Sequence, residues 1–223
     1  MNPPVVARRR RMHRLYQRAG RRFRSRRMHA FAESMTPTTD SSVLDVGGTP
    51  DNWSLVEPCP RVTLVNLSAG DVVADGRMLP FRDNSFDVAF SNSTIEHVGG
   101  PPDQQAFARE IGRVARAYFV QTPNRYFPIE PHYLTPFVQF VPRRLFRRMA
   151  RNLTIWGLIV RPSPDVIDAT VRSIDLLSAT RLRAMFPDAD LRRERWAGLT
   201  KSLIAIRRGE DDEAARPRVP VSS

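Results

Sequence analysis

The chain has 223 residues, 41% hydrophobic and 26% charged, with 35 Lys+Arg against 23 Asp+Glu and a formal net charge of +12. This is the length of one ordinary domain and a composition near the globular average, which excludes collagen-like, coiled-coil and wholly disordered chains, although 19 prolines require extended turns or tails. The lone cysteine, Cys59, excludes an internal disulfide, and four scattered histidines offer no Cys/His spacing for a structural zinc, so no metal and a reducing, cytoplasmic compartment are expected.

The charge is concentrated at the start. Eleven arginines (Arg8 to Arg11, Arg14, Arg18, Arg21, Arg22, Arg24, Arg26 and Arg27) precede the first acid, Glu33, so the remainder is close to neutral. Met12, Leu15, Tyr16, Ala19 and Phe23 recur among them at helical spacing, which makes residues 1–23 a basic amphipathic arm. Such an arm suits an anionic membrane surface or nucleic acid. It equally suits a solvated extension with a coding bias, since Lys201 is the chain's single lysine. No signal peptide is expected, and the longest apolar stretch, Leu153 to Val160, is far below the roughly 20 residues of a spanning helix.

In chain order, residues 24–35 predict a helix with Phe23, Phe31, Ala32 and Met35 inward, closed by Thr36-Pro37 because the residue before proline avoids the helical region. Val43 to Val46, Arg61 to Leu67, Val72-Val73, Phe86 to Phe90 and Tyr118 to Val120 predict strands, with an amphipathic helix over Pro102 to Arg116. Near-continuous apolar strands alternating with helices imply an α/β sheet covered on both faces. Residues 126–175 form a Pro- and aromatic-rich insertion, too irregular for sheet and too apolar for a linker, with Arg143, Arg144, Arg147, Arg148 and Arg151 on a helix. A helix over Ser178 to Phe186 then leads to strands Leu191 to Trp196 and Lys201 to Ile206, joined at Ala197-Gly198. Residues 209–223 read as a disordered tail.

The chemistry begins where Val43-Leu44-Asp45-Val46 runs into Gly47-Gly48-Thr49-Pro50, a turn that lets backbone approach a nucleotide-like ligand, with Pro50 able to open a short helix. About 20 residues on, Asn66 stands where a ribose diol is gripped. Ala74-Asp75-Gly76, Leu79-Pro80-Phe81 and Asn84-Ser85-Phe86-Asp87 follow, leading to Ile95-Glu96-His97-Val98.

This linked series, VLDVGG, ADGRMLPF, NSFDVAFSNSTIEHV and REIGRV, resembles the class I S-adenosylmethionine-dependent methyltransferases of the methyltransferase type 11-like subgroup, over roughly residues 24 to 207. The resemblance implies a Rossmann-like, seven-stranded, mostly parallel sheet with helices on both faces and a C-terminal antiparallel strand, in a domain over residues 24–208. It implies S-adenosylmethionine as cofactor: Gly47 and Gly48 under the methionine, Asp45 orienting that loop and the amine, and Asn66 on the ribose. Asp75 would accept from the adenine amino group, Gly76, Met78 and Leu79 would flank the ring, and Ser91 and Asn92 would line the methyl-transfer position. Two places depart from the family pattern: Thr49 and Asp51 stand where glycines are usual, and Asn66 where an acid is usual.

For a hydroxyl acceptor a base is needed, and His132, His97 and Glu130 are the candidates, with Tyr133 and Tyr126 as substrate contacts. His97 reads equally as a hydrogen-bonded structural histidine, and Glu130 as the partner of His132 or a surface acid. The arginine helix reads as a solvated face or as a surface for phosphate or anionic lipid. The expected acceptor is a small or lipid- or glycan-linked anion, met by a cytoplasmic chain peripheral to an anionic membrane. A catalytically silent, methyltransferase-like scaffold is the alternative, favoured if Thr49 and Asp51 fill the cleft. Nucleic-acid methylation is a second, although no Asn/Asp-Pro-Pro-aromatic tetrapeptide follows strand four, where Ser91-Asn92-Ser93-Thr94 stands.

Overall fold

The computed structural model describes residues 23–209. The proposed arm, apart from its last residue, and most of the proposed tail lie outside them.

The chain opens with helix α1 (23–35), then β1 (Ser42–Val46), β2 (Arg61–Asn66), β3 (Val72–Val73) and β4 (Phe86–Asn92). Helix α2 (Pro101–Val114) and β5 (Ala115–Pro123) follow. The insertion carries β6 (Ile129–Glu130), β7 (Thr135–Pro136), α3 (Arg143–Leu153), α4 (Ile155–Val160) and α5 (Pro164–Ser173). The chain closes with α6 (Ala179–Met185), β8 (Asp190–Trp196) and β9 (Leu199–Arg207).

Seven strands form one sheet in the order β3-β2-β1-β4-β5-β9-β8. The pairings from β3 to β5 are parallel, and β9 runs antiparallel to both β5 and β8. This is the expected Rossmann-like α/β sheet with its late antiparallel strand.

Alternating side chains feed two cores, which is why the central strands β4 and β5 are apolar almost throughout. Val43, Val88, Phe90, Phe119, Ile204 and Ile206 meet Met28, Phe31 and Met35 of α1 on one face. Phe31 makes edge contacts with Trp53 and Phe90, at ring separations of 5.4 and 5.1 Å. On the other face Leu44, Ala89, Tyr118, Val120, Leu203 and Ala205 pack on Phe107, Ile111 and Val114 of α2 and on Leu182 and Phe186.

Several boundaries differ from the sequence reading. Ala115 and Arg116 belong to β5 and not to α2, because Ala115 takes its place in the ladder opposite Phe86. The insertion does contain sheet: Ile129 and Glu130 pair antiparallel with Thr135 and Pro136. It also has its own small core, in which Tyr133, Val138, Phe146, Ala150, Ile167 and Val171 pack together. Its two ends meet at a neck, where Asn124 and Leu177 form a parallel bridge and Arg125 N–H donates to Leu177 O at 2.9 Å.

Candidate functional site

The parallel strands end along one edge of the sheet, where backbone groups leave the ladder and loops are free to carry ligand contacts. A cavity of about 490 Å³ opens there, within the range of small-molecule sites. Gly47, Gly48, Thr49 and Asn52 line it from the loop after β1, Asn92 and Ser93 from the end of β4, and Phe127, Ile129, Pro131, His132 and Leu134 from the insertion. Phe23, Arg24 and Arg27 of α1 and Trp196, Lys201 and Ser202 of the last hairpin complete the wall.

The glycine loop is a close-fitted turn. Gly47 has φ +84°, and a side chain at Gly48 would overlap the carboxylate of Asp45 beneath it. Asp45 is fully buried, and its Oδ2 accepts from Trp53 Nε1 at 2.9 Å. Burial raises its pKa to about 7, against the lowering effect of the Trp53 bond. The expected short helix is present as a 3-10 turn, Pro50–Leu55, with proline at its start. It brings Asn52 to the cavity with an Oδ1 that has no hydrogen-bond partner among the described residues. Asp51 is exposed and does not line the cavity, whereas Thr49 forms part of its wall.

The proposed ribose and adenine end lies along a neighbouring open edge. Asn66 Nδ2 donates to Gly48 O at 3.1 Å, joining the end of β2 to the loop. Asp75 is held below its ordinary pKa by Arg77, whose Nη2 lies 2.6 Å from it and whose Nη1 also binds Asp103 at 2.7 Å. Met78 and Leu67 are exposed. Leu79 is a correction: its side chain belongs to the core, and its N–H donates to Glu110 Oε2 at 2.6 Å. Gly76 packs so closely on Phe107 that a Cβ would come 2.8 Å from the ring.

Asn92 lines the cavity at the end of β4, with Oδ1 accepting from Arg27 Nη1 at 2.9 Å. Ser91 does not, because its side chain alternates into the sheet and its hydroxyl donates to Val46 O at 3.1 Å. The substrate-contact role expected of Tyr133 and Tyr126 also fails. Tyr133 is buried against Phe146 and Trp156, and the exposed Tyr126 stacks on Phe140, with neither lining the cavity.

The three candidate bases do come together. His132 Nδ1 lies 2.6 Å from Glu130 Oε1, and His132 Nε2 lies 3.1 Å from His97 Nε2. Burial lowers the pKa of His97 to about 4, with His132 adding to the effect. Burial acts the same way on His132 but is outweighed by the Glu130 and Glu96 carboxylates, so that its pKa is raised. Glu130 is therefore the partner of His132 and not a surface acid: it is 2% exposed, and its Oε2 accepts from Tyr133 N–H at 2.7 Å.

Arg27, Asn52 and Lys201 are among the polar cavity residues that sequence reasoning missed. Lys201 is half-buried, with its ammonium over the Phe23 ring, and its pKa falls to about 8 through burial and the charge of Arg27. Its uniqueness as the chain's one lysine, in a final strand opposite the glycine loop, was the available signal.

Residues 56–118 match the family model of a methyltransferase domain, which spans β2 to the first part of β5. No curated protein matches the chain. Among solved structures, a Rhodobacter sphaeroides protein described as a Zn-dependent alcohol dehydrogenase is similar over 81% of this chain and 88% of that one, at 12% identity and a TM-score of 0.56. That likeness shows the fold alone. A SAM-dependent methyltransferase from Aquifex aeolicus (13% identity, 80% and 86% covered, TM-score 0.45) and another from Methanosarcina mazei (15% identity, 76% and 92% covered, TM-score 0.45) are also similar. A donor such as the ammonium of S-adenosylmethionine suits the unpartnered Asn52 Oδ1, and the side-chain-free turn at Gly47 and Gly48 suits close approach of its methionine part. The match of residues 56–118 to a methyltransferase domain, carried on a seven-stranded sheet with a late antiparallel strand, supports reading the chain as a class I S-adenosylmethionine-dependent methyltransferase.

Proposed function

We propose that the acceptor is an anionic molecule with an apolar portion, lipid- or glycan-linked, which the enzyme meets at an anionic membrane surface. The observation that carries this reading is the composition of the cavity wall. Arg24, Lys201 and Arg27, the last paired with Glu194 at 3.3 Å, make one wall basic, while Phe127, Ile129, Leu134 and Trp196 supply an apolar floor.

S-adenosylmethionine supplies an activated methyl group on a sulfonium, so the protein's task is alignment and proton handling. Gly47, Gly48 and Asn52 hold the donor end, Asn66 and Asp75 the nucleoside end, and Asn92 marks the passage between donor and acceptor. For a hydroxyl acceptor, the bound cofactor would supply the methyl carbon, its carbon–sulfur bond breaking with the electron pair kept on sulfur as the carbon–oxygen bond forms. The hydroxyl's proton or developing charge falls to the Glu130, His132 and His97 group.

The membrane half of the reading rests on the outer face of the insertion. Exposed Leu145, Leu153, Ile155, Leu158 and Val160 lie among exposed Arg143, Arg144, Arg148 and Arg151. Apolar side chains ringed by arginines suit insertion at an anionic interface. No helix among the described residues is long and apolar enough to cross a membrane.

Two experiments test the proposal. Calorimetric titration with S-adenosylmethionine and S-adenosylhomocysteine, with Asp75→Ala as control, reads the cofactor site. Sedimentation with phosphatidylserine vesicles at low salt, followed by methyl transfer from labelled cofactor into lipid and glycolipid extracts, reads the acceptor. Cofactor binding without sedimentation or lipid labelling would overturn the membrane-bound acceptor; no heat with either cofactor form would favour the scaffold alternative.

A further inference from the structure

His97 and His132 are distant in sequence, but the loop after β4 and the β6–β7 hairpin bring their Nε2 atoms to 3.1 Å, with the two rings perpendicular. The Nδ1 of His132 is engaged by Glu130 at 2.6 Å, so a neutral His132 that donates there turns a bare Nε2 lone pair towards His97. Glu96 lies alongside and is fully buried. Its Oε2 accepts from Thr122 Oγ1 at 3.0 Å, whereas its Oε1 has no partner among the described residues. One ligand atom from each of Glu96, His97 and His132 lies within 4.8 Å of the others.

We propose that Glu96, His97 and His132 form a binding site for a divalent cation of the zinc class, with Glu130 as the carboxylate that orients His132.

The geometry favours this ion over others. Two metal–nitrogen bonds of about 2.0–2.1 Å at a tetrahedral angle set the nitrogens about 3.3–3.4 Å apart, close to the separation found. Two imidazoles and one carboxylate suit zinc, cobalt or iron, whereas magnesium and calcium take oxygen ligands. An imidazole that gives its second nitrogen to a carboxylate is the usual outer support of such a ligand, and Glu130 is rigidly placed by the Tyr133 N–H. A buried carboxylate oxygen without a donor is costly, and a cation removes that cost. In the metal-free chain a proton between the two Nε2 atoms fills the place, and the ion displaces it.

Since His132 also lines the cavity, a further coordination position faces the acceptor. The inference thereby deepens the methyl-transfer reading: a cation held there would bind the acceptor oxygen and lower the pKa of its hydroxyl, and because His97 and His132 are then ligands, the proton would pass to bulk water and not to them. Binding of the ion itself does not depend on that reading.

The test uses the untagged full chain, stripped with chelator and titrated with Co²⁺ and then Zn²⁺. One Co²⁺ per chain with the intense visible bands of a tetrahedral site, displaced by Zn²⁺, is expected. His97→Asn and His132→Asn each weaken binding at least ~10-fold, and Glu130→Gln by roughly 10–100-fold through loosened orientation of His132. Glu96→Gln also weakens it; should that buried variant fail to fold, His97→Asn still tests the site. No tetrahedral Co²⁺ spectrum, or binding unchanged in the His97→Asn/His132→Asn double variant, overturns the proposal. S-adenosylhomocysteine affinity is read on the same samples. Cofactor binding without metal binding refutes the cation site alone, and metal binding without cofactor binding refutes the methyl-transfer reading alone.

Discussion

Replacing Gly48 with alanine should damage stability and cofactor affinity together, because the loop rests directly on a buried acid. The added Cβ would overlap the Asp45 carboxylate, so either the loop rises into the cleft or Asp45 swings away from Trp53. Both partners of that hydrogen bond are buried, with Trp53 only 5% exposed, so an unpaired indole N–H costs about 1–3 kcal/mol. Overpacking adds about 1–3 kcal/mol. A combined loss of about 2–6 kcal/mol lowers Tm by roughly 4–24 °C in a chain of this size. S-adenosylhomocysteine affinity should fall at least ~10-fold, equivalent to about 1.4 kcal/mol. Urea denaturation, thermal melting and calorimetry measure these effects. Adding Asp45→Ala removes the obstacle, so the double variant should be less destabilised than the sum of the singles by about 1–3 kcal/mol. A Gly48→Ala protein with an unchanged Tm and unchanged cofactor affinity would refute the account of the loop.

Asp45 also sets a pH dependence. Its folded pKa is raised from 3.8 to about 7, so the folded state holds a proton that the unfolded state releases between those values. Stability should therefore fall as pH rises from about 4 to 7 through this group, and Asp45→Asn should flatten that slope in urea titrations taken across the range. Asn66→Ala removes the bond to Gly48 O and should weaken S-adenosylhomocysteine binding about 5–10-fold by calorimetry, as expected for one hydrogen bond. Arg27→Gln removes a charge that depresses Lys201, so the lysine should titrate at a higher pH in side-chain NMR; an unmoved or lowered value would contradict the assignment. The triple change of Arg143, Arg144 and Arg148 to Gln should reduce partition onto anionic vesicles roughly 100-fold, at about 1 kcal/mol per arginine near the surface, and high salt should reproduce much of that loss.

The sheet was legible because its strands are apolar on both faces, and a run such as Val88-Ala89-Phe90 has few other uses. The glycine loop was legible for a related reason, since backbone approach to a ligand restricts residue choice locally. Helices α4 and α5 were not recognised, because prolines and aromatics made the insertion look irregular. Ser163 followed by Pro164 is nevertheless a helix-start signal, and Ser163 Oγ does accept from Val166 N–H, at 3.4 Å. Ser91 and Leu79 were misplaced because motif position fixes the backbone, whereas strand alternation and the packing of the loop decide which side of it a side chain occupies. Arg27, Asn52 and Lys201 come from three separated elements, and the meeting of His97 with His132 depends on the folding of the insertion. Tertiary placement of that kind leaves no local spacing to read.

The neck at Asn124 and Leu177 has a consequence for how this fold can diversify. Because the insertion departs and returns through adjoining backbone, its length is not constrained by the sheet. Closing a loop of about 50 residues costs only about 3.5 kcal/mol in chain entropy by the (3/2)RT ln n relation, and doubling it adds about 0.6 kcal/mol. The sheet and its glycine turn can then stay fixed while the insertion is lengthened, shortened or exchanged as a cassette, which under the proposed function would change what is methylated.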